Sequence, residues 1–143
     1  MPSFGDTSQS RLDTCHPNLR SLFEEVVKGF DCSIISGWRS AEEQAMLYAQ
    51  GRTRHGSVVT NKDGFEKRSK HQGPDGNKPS LAVDVMPHPI NWKDTERCVY
   101  FAGYVIATAR RMGIAVRWGG DWDADTEVAD EKFRDYPHFE LVL

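Results

Sequence analysis

The chain is predicted to fold as α+β, a small antiparallel sheet packed with helices. Two long segments space their apolar residues three and four apart, as helices do. Short β-branched or alternating runs stand between and after them, as strands do. No repeat, low-complexity tract or linker divides the chain, so one core is expected.

In chain order, PNLRSLFEEVVKGF (Pro17 to Phe30) places Leu19, Leu22, Phe23, Val26, Val27 and Phe30 on one helical face. Gly29 and Asp31 supply the stop. CSIISGW then reads as a short buried strand. Ser40 followed by Glu43 forms a capping box for a helix reaching Gly51. Arg39 therefore sits at a strand-to-helix junction. Residues 52 to 80 are polar and rich in glycine and proline, a length that marks a functional or mobile loop. In LAVDVMP, Ala82 and Asp84 share one face while Val83 and Val85 share the other, which aims Asp84 away from the core. Thr95 to Met112 is a long helix ended by Gly113. IAVRW runs as a strand into Gly119 and Gly120, and HFELVL alternates as a last strand that begins at His138.

With 143 residues, the chain suits one domain (1–143, core about 17–143) that buries roughly two thirds of its unfolded surface. Its composition, 38% hydrophobic and 27% charged, is that of an ordinary globule, and no apolar run nears the roughly 20 residues that span a bilayer. The opening MPSFGDTSQSRLDTCHP lacks a basic-then-apolar signal, so synthesis in the cytoplasm without a signal peptide is expected, and no membrane partner. Cys15, Cys32 and Cys98 are odd in number and scattered, which suits reduced thiols and not a disulfide framework. A net charge of -3 argues against broad nucleic-acid binding. The total hides a polarity. Arg52, Arg54, Lys62, Lys67, Arg68 and Lys70 crowd one stretch, whereas Asp121 to Asp135 is strongly acidic. The basic stretch would meet a polymer bearing carboxylates, or it is a solvated loop face.

Chemistry concentrates in SKHQGPDGNKPSLAVD (Ser69 to Asp84) and DYPHFE (Asp135 to Glu140). His71, Asp84 and His138 offer two imidazoles and a carboxylate, a set that holds zinc and leaves a position open for water. Asp135, three residues before a ligand, is the candidate base. The helical HExxH pattern is absent, which excludes a thermolysin-like arrangement. For His16, His55 and His88 a structural role is the favoured reading. Trp118 and Trp122, with two glycines between, form a cleft wall open to substrate, or are core aromatics. Asp121, Asp123 and Asp125 begin like a calcium loop, but Thr126 and Lys132 stand where that loop needs Gly and Glu, so a solvated acidic loop is expected.

SGWRSAEEQ, SKH followed by LAVDVMP, WGGDW and DYPHFEL, in this order, resemble the M15 family of zinc peptidoglycan peptidases. The WGGDW and PHFE forms are most similar to its L-alanyl-D-glutamate endopeptidase branch, which includes single-domain phage endolysins. The resemblance spans about Ser36 to Leu141. It implies a hedgehog/DD-peptidase-like fold, Zn2+ on His71, Asp84 and His138, Asp135 as general acid/base, and Arg39 as the group that binds the substrate carbonyl. Ser69, Gln44, Trp118 and Asp121 are further residues of the motifs, in supporting or substrate-contact positions. The implied activity is hydrolysis of the L-alanyl-D-glutamate bond of the peptidoglycan stem by a monomer without a separate wall-binding domain, leading to lysis of a bacterial cell. A D-Ala-D-Ala carboxypeptidase or dipeptidase is the second enzymatic reading. A non-catalytic wall-binding module is the third, and the presence of both Asp135 and Arg39 speaks against it. The family writes its first ligand pair as SxHxxGxAxD, closer than the thirteen positions that separate His71 from Asp84. The extra residues within GPDGNKPS are turn formers expected to loop out at the rim of the site.

Overall fold

The computed structural model describes all residues, Met1–Leu143. In chain order they form α1 (Asp6–Leu12), α2 (Pro17–Gly29), β1 (Cys32–Ser36), α3 (Ala41–Ala49), a 3-10 turn (Lys70–Gln72), β2 (Ala82–Pro87), α4 (Thr95–Met112), β3 (Val116–Trp118) and β4 (His138–Leu141). The strands make one antiparallel sheet in the order β1-β2-β4-β3. This is the expected α+β class, with strand ends trimmed by one or two residues. None of the helices is long and apolar enough to cross a membrane.

Register sorts the side chains. Val83 lies opposite Phe139, which lies opposite Trp118, and all three are buried in the main hydrophobic cluster. Cross-strand partners point to the same side. That side meets α2 and α4: Phe23 of α2 and Phe101 of α4 both pack edge-on against Phe139, with ring centroids 5.5 and 6.1 Å away. The alternate row, Asp84 opposite His138 and Ala82–Glu140–Arg117, points away from the helices. One face of the sheet is therefore core and the other is chemistry.

α2 and α4 form as their sequences require. Pro17 opens α2 at its first turn, and the His16 ring accepts from the Asn18 N–H at 3.1 Å, a structural use of that histidine. Asp94 caps α4, whose end is turned by Gly113 in the left-handed region, φ 73°. Ser40 and Glu43 make the expected capping box on α3.

The core begins earlier than residue 17. Helix α1 carries Leu12 into the cluster, fully buried, and Cys15 follows it there. Its sequence DTSQSRL has no apolar stripe, because its role is to cover a sheet edge. β1 is an edge strand, and Ser8 Oγ accepts from Ile34 N while Arg11 donates to Ile34 O, both at 3.0 Å. All three cysteines are free and buried, and burial pushes the Cys15 and Cys32 thiols up to about 12.

Phe23→Ala removes a fully buried ring at the α2–sheet contact and is expected to cost about 3–5 kcal/mol, read as a lower urea midpoint. A loss below about 1 kcal/mol would show that the helix–sheet contact is not the main core.

Candidate metal centre

Three elements bring His71, Asp84 and His138 together. Asp84 and His138 are direct register partners on the central strands β2 and β4, so their side chains emerge side by side. His71 rides on the 3-10 turn, whose capping residue Ser69 accepts from the His71 N–H at 3.2 Å. The turn is docked on the end of β1: Arg39 N donates to His71 O at 2.9 Å, and His71 Nδ1 lies 2.8 Å from Gly37 O. A carbonyl can only accept, so Nδ1 carries the proton and Nε2 offers its lone pair to the site.

The chain brings the distant ligands together by looping out the residues between them. Leu81 N donates to Lys70 O at 3.0 Å, so the excursion closes where it began. The loop packs on the N-terminal segment, with Ser80 N donating to Thr14 O and His16 N to Ser80 O. It does not lie at the cleft rim as expected; none of residues 73–80 lines the cleft.

The three ligand atoms converge without bonding to one another. His71 Nε2 is 3.3 Å and His138 Nδ1 is 3.4 Å from Asp84 Oδ1, but their alignment is not that of hydrogen bonds. His71 Nε2 and Asp84 Oδ1 are buried polar atoms with no partner at all. Buried unpartnered atoms are costly and rare. Ligand atoms about 2.05 Å from a tetrahedral cation lie roughly 3.3–3.4 Å apart, the spacing found here. The donor set and its spacing therefore fit a metal ion.

Electrostatics agree. Burial pushes the His71 imidazole below its usual range. For Asp84, burial acts upward, but the adjoining imidazoles of His71 and His138 outweigh it and hold the carboxyl well below the ordinary value. Burial would lower His138, yet Asp84 and Glu140 on either side raise it to about 9. The pocket thus favours positive charge between its carboxylates.

Comparison with known proteins decides the family. The family model described as phage L-alanyl-D-glutamate peptidase matches residues 2–142. The chain belongs to this family. It is 34% identical over 120 residues to the peptidoglycan L-alanyl-D-glutamate endopeptidase CwlK of Bacillus subtilis (strain 168). That match covers 80% of this chain and 63% of CwlK, so the chain spans less than two thirds of that relative's length. Identity to the L-alanyl-D-glutamate peptidase of Escherichia phage T5 is 29% over 147 residues, 97% of each chain. The crystal structure of the Serratia marcescens L-Ala D-Glu endopeptidase ChiX superposes with a TM-score of 0.63 at 22% identity, covering 99% of this chain and 91% of that one. The vancomycin-resistance D,D-dipeptidase VanXYg gives a TM-score of 0.50 at 22% identity over 87% of this chain and 47% of its own. These two show a shared fold.

Around the centre of this phage-peptidase family member stands a shell that the sequence reading left partly unassigned. Glu140 was not anticipated. It follows His138 by two positions on β4, hence on the same face, and its Oε1 accepts from His138 Nε2 at 2.9 Å, turning Nδ1 toward Asp84. Lys70 Nζ, 3.0 Å from Glu140 Oε2, and Arg117, at 3.8 Å, balance its charge. Burial acts upward on Glu140, but His138 and Lys70 hold it down to about 2. The strand period was the signal that could have found it.

Arg39 lies across Asp84. Its Nη2 donates to Asp84 Oδ2 at 2.8 Å, Nε to Ser36 Oγ at 3.1 Å, and Nη1 to Gln44 Oε1 at 3.2 Å. Gln44 is fully buried and donates in turn to Thr60 Oγ1 and Lys62 O. Gln44 thus holds the Arg39 guanidinium, and Ser69 caps the turn that bears His71.

Asp135 lies at the cleft, its Oδ2 4.0 Å from His138 Nδ1 and its side chain one-third exposed. Burial, then the charge of Asp84, push its carboxyl up to about 6. WGGDW positions it. Asp135 N donates to Gly119 O at 2.8 Å, and a side chain on Gly119 would run into the Asp135 carbonyl oxygen. A side chain on Gly120 would strike the Trp118 ring. The glycines thus serve packing of the chain on itself, and Trp118 lies in the core, not on the cleft wall, donating from Nε1 to Tyr136 O. Trp122 does line the cleft, 5.4 Å from the His138 ring. Asp121 is outside the cleft: its carboxylate accepts from the Asp125 and Thr126 N–H groups and shapes the acidic loop.

Glu140→Ala is expected to weaken divalent-cation binding by about 10- to 100-fold in calorimetric titration while the circular dichroism spectrum stays native. Unchanged affinity would remove Glu140 from the support of His138.

Proposed function

We propose that this protein is a zinc-dependent peptidoglycan endopeptidase that hydrolyses the L-alanyl-D-glutamate bond of the stem peptide, and that it acts on the bacterial cell wall to cause lysis. The observation that carries the reading is the convergence of His71 Nε2, Asp84 Oδ1 and His138 Nδ1, unbonded to one another, in a cleft that also holds Asp135 and Arg39. The activity named for the relatives CwlK and the phage T5 peptidase supports this scissile bond. The family match from residue 2 to 142 supports reading the chain as one catalytic domain.

His71, Asp84 and His138 would hold the ion. Bound zinc supplies Lewis acidity at the head of the cleft. The remaining work falls to the chain's own side chains. Arg39 is fixed by Ser36, Gln44 and Asp84, yet both of its terminal nitrogens keep an N–H free for the scissile carbonyl oxygen. As water adds to that carbonyl, the oxygen gains negative charge, and a guanidinium already in place stabilises it without reorganising. Asp135 takes the proton that the attacking water loses. When the C–N bond breaks, Asp135 returns that proton to the departing amine of glutamate. The products are a new alanyl carboxylate and a new amino-terminal D-glutamate.

Asp135→Ala is expected to keep one zinc per chain by elemental analysis and to lose at least about 100-fold in turnover. His138→Ala loses the zinc as well. Mass spectrometry of digested muropeptides should find amino-terminal D-glutamate; release of free D-alanine, or full activity in Asp135→Ala, would overturn the reading.

A further inference from the structure

The cleft at the metal centre has a volume of about 760 Å³ and is cationic in a chain of net charge -3. Five cations line it: Arg39, Lys62, Arg68, Lys70 and Arg117. Arg39 is paired with Asp84, while Lys70 and Arg117 are paired with Glu140. Lys62 and Arg68 are exposed and no carboxylate lies within ion-pair distance of either.

These two are held at the cleft by construction. Gln44, which also grips Arg39, donates to the carbonyl of Lys62 at 2.9 Å. Gln72, buried beside the ligand His71, donates to Gly64 O at 2.8 Å. Arg68 directly precedes Ser69, the residue that caps the turn bearing His71. The other cations of the same stretch turn elsewhere. Arg52 stacks on Tyr48 and binds the carbonyls of Tyr48 and Thr60, and Arg54 reaches Met46. Neither lines the cleft.

The proposed substrate carries a matching charge. Its glutamate continues the stem through the γ-carboxyl, which leaves the α-carboxylate free on the carbon that bears the departing amine. That anion must enter the cleft with the scissile bond. We infer that Lys62 and Arg68 receive the glutamate α-carboxylate and make the enzyme selective for stems in which it is not amidated. The inference rests on the proposed function and adds to it the feature of the substrate that is read.

The test compares zinc-loaded wild type, Lys62→Ala and Arg68→Ala on two synthetic stem peptides that differ only in a free or amidated glutamate α-carboxyl. Wild type should show a kcat/KM at least about tenfold higher on the free acid. Arg68→Ala should lose that preference through KM and keep its rate on the amide within about twofold. Calorimetry in the Asp135→Ala background should show the same selective loss of affinity for the acid. Equal rates of wild type on acid and amide, or an equal loss on both in Arg68→Ala, overturns the inference. So does a preference abolished instead by amidating the next residue of the stem. Product masses showing cleavage at another bond overturn the proposed function itself, a result distinct from lost acid selectivity at the expected bond.

Discussion

A carboxylate set in the middle of the central strand is the constraint around which this molecule is arranged. An ionised group taken out of water costs several kcal/mol unless partners replace the water. Asp84 obtains them on one side: Oδ2 accepts from Arg39. Its Oδ1 faces two imidazoles at 3.3 and 3.4 Å without a hydrogen bond to either. A neutral, hydrogen-bonded triad would have closed that gap. A gap kept open between a carboxylate and two ring nitrogens is instead where a cation lowers the energy of all three.

Neutralisation continues outward in layers. His138 stands between Asp84 and Glu140, and Glu140 is balanced by Lys70 and Arg117. Lys70 precedes His71, and its Nζ also donates to Leu141 O, so the start of the turn is tied to two residues of β4. Each charge is thus fixed by a group from a different element. Sheet register enforces the rest: a slip of one residue between β2 and β4 would bring Val83 or Phe139 to the site and Asp84 or His138 into the core.

Much of this was legible in the sequence. Helices with a strong apolar period, Pro17–Gly29 and Thr95–Met112, were readable because burial of one face dictates their composition. The triad was readable because each member lies in a compact motif, and the residue alternation around Asp84 already set it apart from Val83 and Val85. Helix α1 was not, since DTSQSRL serves β1 through Ser8 and Arg11 hydrogen bonds and buries only Leu12. The WGGDW segment stayed open between a cleft wall and a core turn, because sequence shows that a side chain is missing and not which neighbour fills the space. Here the neighbours are Asp135 and Trp118 of the same chain.

The two walls of the cleft solve different problems with different materials. His71, Asp84 and His138 come from paired strands and a turn docked on them, where backbone hydrogen bonds fix direction. The opposite wall comes from the long loop after α3, which has no regular ladder and few apolar anchors. It is held by buried amides: Gln44 grips Thr60 and Lys62, and Gln72 grips Gly64. An amide buried at 0% or 1% exposure must be satisfied or be destabilising, so each glutamine converts the cost of its own burial into a fixed position for the loop. Gln44 also holds Arg39. The same side chain therefore ties the Arg39 guanidinium to the loop that carries Lys62, so strand-borne and loop-borne parts of the cleft are fixed relative to each other.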